Sequence, residues 1–267
     1  MTAGPVFALD QKESAYDRVL RTGAIRCGYL AYDPVIKKDP NTATVSGLLV
    51  DILDEMAKRL EMKIEWTEEV PFVTAFEGLK TNRYDAVCTA LWGWAPQARV
   101  GELVGPMYYY PIGAWVRADD TRFDKGLAAV NAKGIKISGV DGTFPLEAAK
   151  ADFPKARAVS LPQISDYTQP LLEVKTKKAD LTFMDNNIGL RFLASNPGAV
   201  KNIAADPPYK IFGQFIMVNK GEHSLQSMLQ GVNNLMILDG TMDRLISSYE
   251  PEKGAYYRVP QPYEVPK

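Results

Sequence analysis

Residues 47–67 read GLLVDILDEMAKRLEMKIEWT. Leu49, Ile52, Leu53, Met56 and Leu60 recur at spacings of three and four, which predicts a helix over residues 48–60 with one face in a core and the other solvated. Residues 63–67 then read as a short strand. Upstream, AIRCGYL at residues 24–30 reads as another strand, preceded by a short helix at 16–22 that Gly23 stops. A polar, turn-rich loop over residues 33–46 joins that strand to the long helix.

Outward from this stretch the alternation continues, with a helix predicted at 73–81 and a strand at 85–91. Alternating strands and helices on short connections build a parallel sheet covered by helices, so the chain is α/β. A second series follows: helix 126–132, strand 135–140, helix 144–152, strand 158–161, helix 165–175, strand 180–184 and helix 187–195. Two long extended runs, 108–116 and 209–219, bracket this second series, and residues 225–249 carry strong helical periodicity. If both runs are crossovers, residues 117–212 form one lobe while 1–116 and 213–267 together form the other.

The 267 residues carry a net charge of −1, which leaves no basic excess to attract nucleic acid or anionic lipid. No apolar run reaches the roughly 18 residues a membrane helix needs, and MTAGPVFALDQKES has no charged segment followed by an apolar one, so no export signal is legible there. Cys27 and Cys88 each sit in an apolar stretch and read first as two buried thiols. A disulfide follows instead if their strands are neighbours. His223 is the sole histidine, which rules out a histidine-dependent triad and a multi-histidine zinc site.

GLLVDILDEMAKR resembles the signature of the family 3 extracellular solute-binding proteins, with Gly47, Val50 and Asp51 in register and Leu49 where an acidic residue is common. Five further stretches agree in order and spacing: RVLRTGAIRCGY (18–29), FEGLKTNRYDAV (76–87), RVGELVGPMYYY (99–110), DGTFPLEAAK (141–150) and KADLTFMDNN (178–187). The resemblance covers residues 16 to 250. It implies a type II periplasmic-binding-protein fold, in which two α/β lobes joined by two crossovers close on a ligand held between them. It further implies a monomer of the periplasm that captures an amino acid or similar zwitterion for an ABC permease and ATPase complex. No cofactor, metal or catalysis is implied.

The same resemblance assigns roles. Arg99 matches the arginine that grips the ligand α-carboxylate, chemistry that suits a planar guanidinium donating two parallel hydrogen bonds. The rival is a surface arginine at a helix start, where its charge would oppose the helix dipole. Asp185 matches the carboxylate that pairs with the α-ammonium; the rival is a helix N-cap. Thr143 matches a hydroxyl that meets the carboxylate from the second lobe, again with an N-cap as rival. Phe72 and Tyr32 match aromatic positions against the ligand side chain, with Tyr29 and Asp33 in the same loop; core packing competes for the rings.

Trp92 and Trp94 depart from the pattern, since relatives carry small hydroxyl residues there. Two indoles with Phe72 and Tyr32 suit a ligand with an apolar or cationic end, because each good cation–ring contact is worth about 0.5–2 kcal/mol. Inter-lobe packing of one indole is the alternative. Two other functions compete on this fold: a cyclohexadienyl-dehydratase-like enzyme using Glu147 or Asp185 as acid, and a sensory or accessory module with a vestigial pocket.

Overall fold

The structure, a computed structural model, describes residues 13–93, 95–162, 166–250 and 252–259. In chain order its elements are α1 (Ala15–Thr22), β1 (Ala24–Tyr29), β2 (Lys37–Lys38), β3 (Val45–Ser46), α2 (Leu48–Arg59), β4 (Lys63–Glu69), α3 (Phe72–Lys80), β5 (Ala86–Trp92), α4 (Ala95–Ala98) and β6 (Gly101–Val104). Then follow β7 (Tyr109–Arg117), β8 (Lys136–Val140), α5 (Phe144–Asp152), β9 (Arg157–Leu161), α6 (Gln169–Lys175), β10 (Leu181–Asp185), α7 (Asn186–Ser195), β11 (Val200–Asn202), β12 (Lys210–Asn219), α8 (His223–Leu238) and α9 (Thr241–Tyr249).

The chain divides into two compact units, one made of the residues up to Gly105 with Phe215–Leu245, the other of Pro106–Gln214 with the chain from Ile246 onward. These limits differ from the 1–116/213–267 and 117–212 division read from sequence. The long extended runs each split or attach according to pairing. β12 pairs through its first half with β7 and through its second half with β6. The final segment goes with the second unit because Tyr257 and Tyr109 exchange backbone hydrogen bonds of 2.8 and 2.9 Å. Tyr256 also packs its ring 5.6 Å from those of both Tyr108 and Tyr110.

In the first unit β1 runs parallel to both β4 and β5, in the order β4-β1-β5-β12. Helix α2 buries Leu49, Ile52, Leu53 and Met56 as its periodicity predicts, with Leu60 half-buried as the C-cap. It starts at Gly47 because the chain there doubles back on Val35: φ is 129°, and a Cβ would fall 2.5 Å from the Val35 carbonyl oxygen. Tyr84 lies in the core with its ring against Gly28 and Gly78, where a Cβ would stand 2.5 and 2.1 Å from ring atoms. Its hydroxyl donates to the Ala75 carbonyl.

Two polar features pin this sheet. Asp85, 2% exposed, accepts from Arg18 Nε (2.9 Å), Arg26 Nη2 (3.0 Å) and the Arg26 backbone (2.8 Å), tying α1 and β1 to the start of β5. Cys27 and Cys88 form a disulfide with Cα atoms 5.4 Å apart. The first reading, two thiols, is corrected: Cys27 faces Ala86 across the parallel β1–β5 pair, which sets the two sulfurs side by side.

The second unit has the order β12-β7-β10-β8-β9, with β8 parallel to β9 and β10, and β7 antiparallel to β10, β11 and β12. Phe183 packs between Phe153 (5.4 Å) and Tyr209 (4.1 Å). Three sequence expectations change. The helix expected at 126–132 is a single 3-10 turn, Gly126–Ala129, fenced by left-handed Gly126 and Gly134. The helix expected at 165–175 starts only at Gln169, since Asp166 draws the Thr168 N–H and hydroxyl into a local turn (2.7 and 2.8 Å); residues 163–165 lie outside the described residues. The helix expected at 225–249 breaks at Gly240, φ 77°, into α8 and α9, the latter entered through Asp239 Oδ1 accepting from Thr241 N (3.0 Å).

Candidate ligand-binding site

Parallel strands deliver their C-terminal ends to one edge of a sheet, where α/β proteins hold ligands. In the first unit Tyr32 follows β1 by three residues, Phe72 follows β4 by three, Trp92 ends β5, and Arg99 follows the turn of α4 beyond it. The predicted residues of this unit thus leave the same edge.

Arg99 is exposed, and among the described residues it joins no hydrogen bond or ion pair. Its position corrects one argument. It follows the last residue of α4 instead of opening a helix, so the dipole objection to a bystander arginine does not apply. Phe72 is 37% exposed and meets Phe76 edge-on at 5.6 Å. Tyr32 is half-buried and bridges to Ile36, its N–H reaching that carbonyl at 2.8 Å. Tyr29 is 4% exposed and packs edge-on against Trp66 at 5.4 Å, a core position. Asp33 is exposed. Trp92 is half-buried, and the adjacent Gly93 lets the strand end pass Phe215, whose ring would lie 2.4 Å from a Cβ. Trp94 lies outside the described residues.

In the second unit Thr143 follows β8 by three residues and Asp185 ends the neighbouring β10, again at one edge. Thr143 Oγ1 donates to the Val140 carbonyl at 2.6 Å and does not cap α5, so its proton is committed within the turn. Asp185 stands at the N-cap position of α7, yet its side chain makes no cap hydrogen bond. It is 0% exposed. The N-cap alternative for this residue therefore fails.

Asp185 pairs with Ile112 across β10–β7, which puts Tyr110, two residues along, on the same face. Tyr108 and Tyr110 are both 0% exposed, with ring centroids 5.4 Å apart. Burial pushes the Tyr108 phenol far above its ordinary range, and the charges of Tyr256 and Asp185 add to the effect. Burial, and then the Asp185 charge, also raises Tyr167. The positive end of the α7 dipole favours the ionised Asp185 carboxylate, and a carboxylate among phenol rings is an environment suited to a cation. The sequence reading missed these tyrosines. The run Tyr108-Tyr109-Tyr110 gave the available signal, since in a strand its first and third members share a face.

Glu147 forms an ion pair with Lys150 at 2.7 Å. Among the described residues no group of three or more His, Cys, Asp or Glu side chains is placed to hold a metal, and no helix is long and apolar enough to cross a membrane.

Two α/β units with this strand order define a type II periplasmic-binding-protein fold. The sequence profile of the bacterial extracellular solute-binding proteins, family 3, matches residues 25–252. The chain belongs to that family. Among solved structures, the ancestral amino-acid-binding protein AncCDT-1, a precursor of cyclohexadienyl dehydratase, matches with a TM-score of 0.76 at 22% identity, over 89% of this chain and 99% of that one. A binding component assigned to an ABC transporter of Wolinella succinogenes, complexed with lysine, matches with a TM-score of 0.76 at 20% identity, over 87% and 97%. An ancestral arginine-binding protein bound to arginine matches with a TM-score of 0.70 at 21% identity, over 85% and 98%. A search of curated protein sequences finds no match.

Proposed function

We propose that this protein captures an amino acid or amino-acid-like zwitterion outside the cytoplasm and delivers it to an ABC permease and ATPase complex. Arg99 takes the ligand carboxylate and Asp185 its ammonium, so that a zwitterion is recognised by both poles. The observation that carries this reading is Asp185: a fully buried carboxylate that ends a strand, leaves its helix uncapped and lies among phenols. Arg99, exposed and engaged by no described residue, supplies the complementary charge.

Phe72, Tyr32 and Trp92 leave the same sheet edge as Arg99 and suit a ligand whose far end is apolar or cationic. Lysine and arginine, bound by two of the similar structures, are the first candidates. The Cys27–Cys88 disulfide supports a periplasmic location, since such bonds persist in oxidising compartments. The protein acts as a binder and not as an enzyme: of the two candidate acids for dehydratase chemistry, Asp185 is assigned here to the ligand ammonium, and Glu147 sits in a solvent-exposed pair with Lys150. Turnover of prephenate or arogenate, followed by absorbance, would overturn that statement.

A thermal-shift screen of amino acids tests the proposal directly. Ligand at 100 times its Kd stabilises by about 2.7 kcal/mol, a Tm rise of roughly 5–11 °C for a chain of this size. Arg99→Ala abolishes the shift. Asp185→Asn weakens zwitterions far more than simple carboxylates. Full affinity in Arg99→Ala would refute the assignment of the carboxylate pole.

A further inference from the structure

The β10–α7 junction reads Asp185-Asn186-Asn187, and its two asparagines behave differently. Asn186 Oδ1 accepts from Asn202 Nδ2 at 3.0 Å, and Asn202 Oδ1 in turn accepts from the backbone N–H groups of Ala114 (3.1 Å) and Ala204 (2.9 Å). Gly113 makes room for this bridge, because a Cβ there would lie 2.4 Å from Asn202 Nδ2 and 2.6 Å from Asn186 Oδ1. One turn into the helix, Gly189 lies flat against Trp115, 2.1 Å from ring atoms if it carried a Cβ. The start of α7 is clamped onto β7 by these contacts.

Asn187 takes no part in the clamp. Its side chain is 0% exposed, and among the described residues neither Oδ1 nor Nδ2 has a hydrogen-bond partner. A buried carboxamide unmatched at both ends destabilises the fold, and leucine, of similar size, would avoid the loss. Folding therefore gives no reason for an asparagine here. A partner from outside the chain would satisfy both atoms, and two residues away stands the carboxylate assigned to the ligand ammonium.

We propose that Asn187 is a ligand-contacting residue of the ammonium subsite, where it selects an amino group that carries N–H bonds over a quaternary one. The inference rests on the Asp185 reading above. The physical basis is a division of labour. A carboxylate among aromatic rings attracts any cation, quaternary or primary, by charge. A neutral amide oxygen adds attraction only where an N–H is offered, and a primary ammonium has three to share between Asp185 and Asn187 Oδ1. Nδ2, a donor, needs an acceptor, which a zwitterion also brings. The ligand class is accordingly a free α-amino acid and not a betaine.

The test uses the tightest binder among the twenty standard L-amino acids and its Nα-trimethyl derivative, with Kd measured by calorimetry on wild type, Asn187→Leu and Asp185→Asn. Asn187→Leu is expected to weaken the free amino acid about 10- to 100-fold and to leave the trimethyl form within about 2-fold, so that selectivity collapses. Its ligand-free Tm stays at or above that of wild type, which separates lost binding from lost folding. If Asn187→Leu does not fold, Asn187→Ala, which adds no bulk, carries the same comparison. Unchanged affinity and selectivity in the folded variant, as when the amide holds only an ordered water, would overturn the inference while Asp185→Asn still weakens binding. Should wild type bind none of the twenty amino acids, the Asp185 reading fails first, and this inference with it.

Discussion

Reducing the Cys27–Cys88 disulfide should lower the melting temperature substantially without opening a hole in the core. The bridged residues are 61 apart in sequence, and the loop between them holds α2, β4 and α3. For a loop of that length the chain-entropy relation gives about 14 cal/mol/K, or about 4 kcal/mol at 25 °C, as the stabilisation from cross-linking the unfolded chain. In a chain of this size that corresponds to a Tm loss of roughly 8–16 °C on reduction. Both cysteines are buried, at 0% and 1% exposure, and the reduced thiols still fill their places, so the comparison isolates the cross-link. The assay is calorimetric or circular-dichroism melting of protein before and after reduction in denaturant, refolding and removal of denaturant under a phosphine reductant. Thiol titration of the unfolded samples fixes the state of each. Two reactive thiols in the unreduced sample, or a Tm difference below about 2 °C, would refute the reasoning.

Asp85→Ala strands the guanidinium groups of Arg18 and Arg26 around an empty site and should cost about 3 kcal/mol in urea unfolding, the low end for a broken buried pair because both arginines keep some water access. A change below about 0.5 kcal/mol would mean the hub contributes only geometry. Acid stability has its own marker in Asp120, whose carboxyl Arg122 holds below the usual range by a side-chain hydrogen bond, with the Arg122 N–H and Arg117 adding to the effect. A depressed folded pKa gives stability that is complete above the unfolded value of 3.8 and is lost as pH falls through the folded value. The Tm gap between wild type and Asp120→Asn should thus be constant near neutrality and narrow as pH falls below 3.8; a gap that does not narrow there would contradict it.

Much of the fold was legible because the periodicities were strong. Leu49, Ile52, Leu53 and Met56 repeat at helical spacing and are buried together, and the strands at residues 24–30 and 85–91 stand within a residue or two of where the apolar runs put them. Misjudged segments share a cause, a local polar or glycine contact competing with helical periodicity. Asp166 captures Thr168, and Gly240 turns left-handed in the middle of an otherwise continuous apolar pattern. Taking the two long extended runs as crossovers puts both ends of the chain in one unit. The Tyr109–Tyr257 bridge, a pairing of residues 148 apart, ties the last described segment to β7, and no local signal announces it.

For the site, the sequence by itself determined the chemistry: the α/β alternation, the family, and the residues Arg99 and Asp185 as the charged pair worth testing. It could do so because side-chain chemistry and strand-end position are local properties. Tertiary structure alone decided the helix-cap alternative at Asp185, the core alternative at Tyr29 and the thiol-or-disulfide alternative at the cysteines. Asp185 acquires its character from burial beside Tyr108 and Tyr167, Tyr29 becomes core through Trp66, and Cys27 meets Cys88 through strand register. Burial and register are set by neighbours distant in sequence, and so no reading of neighbouring residues supplies them.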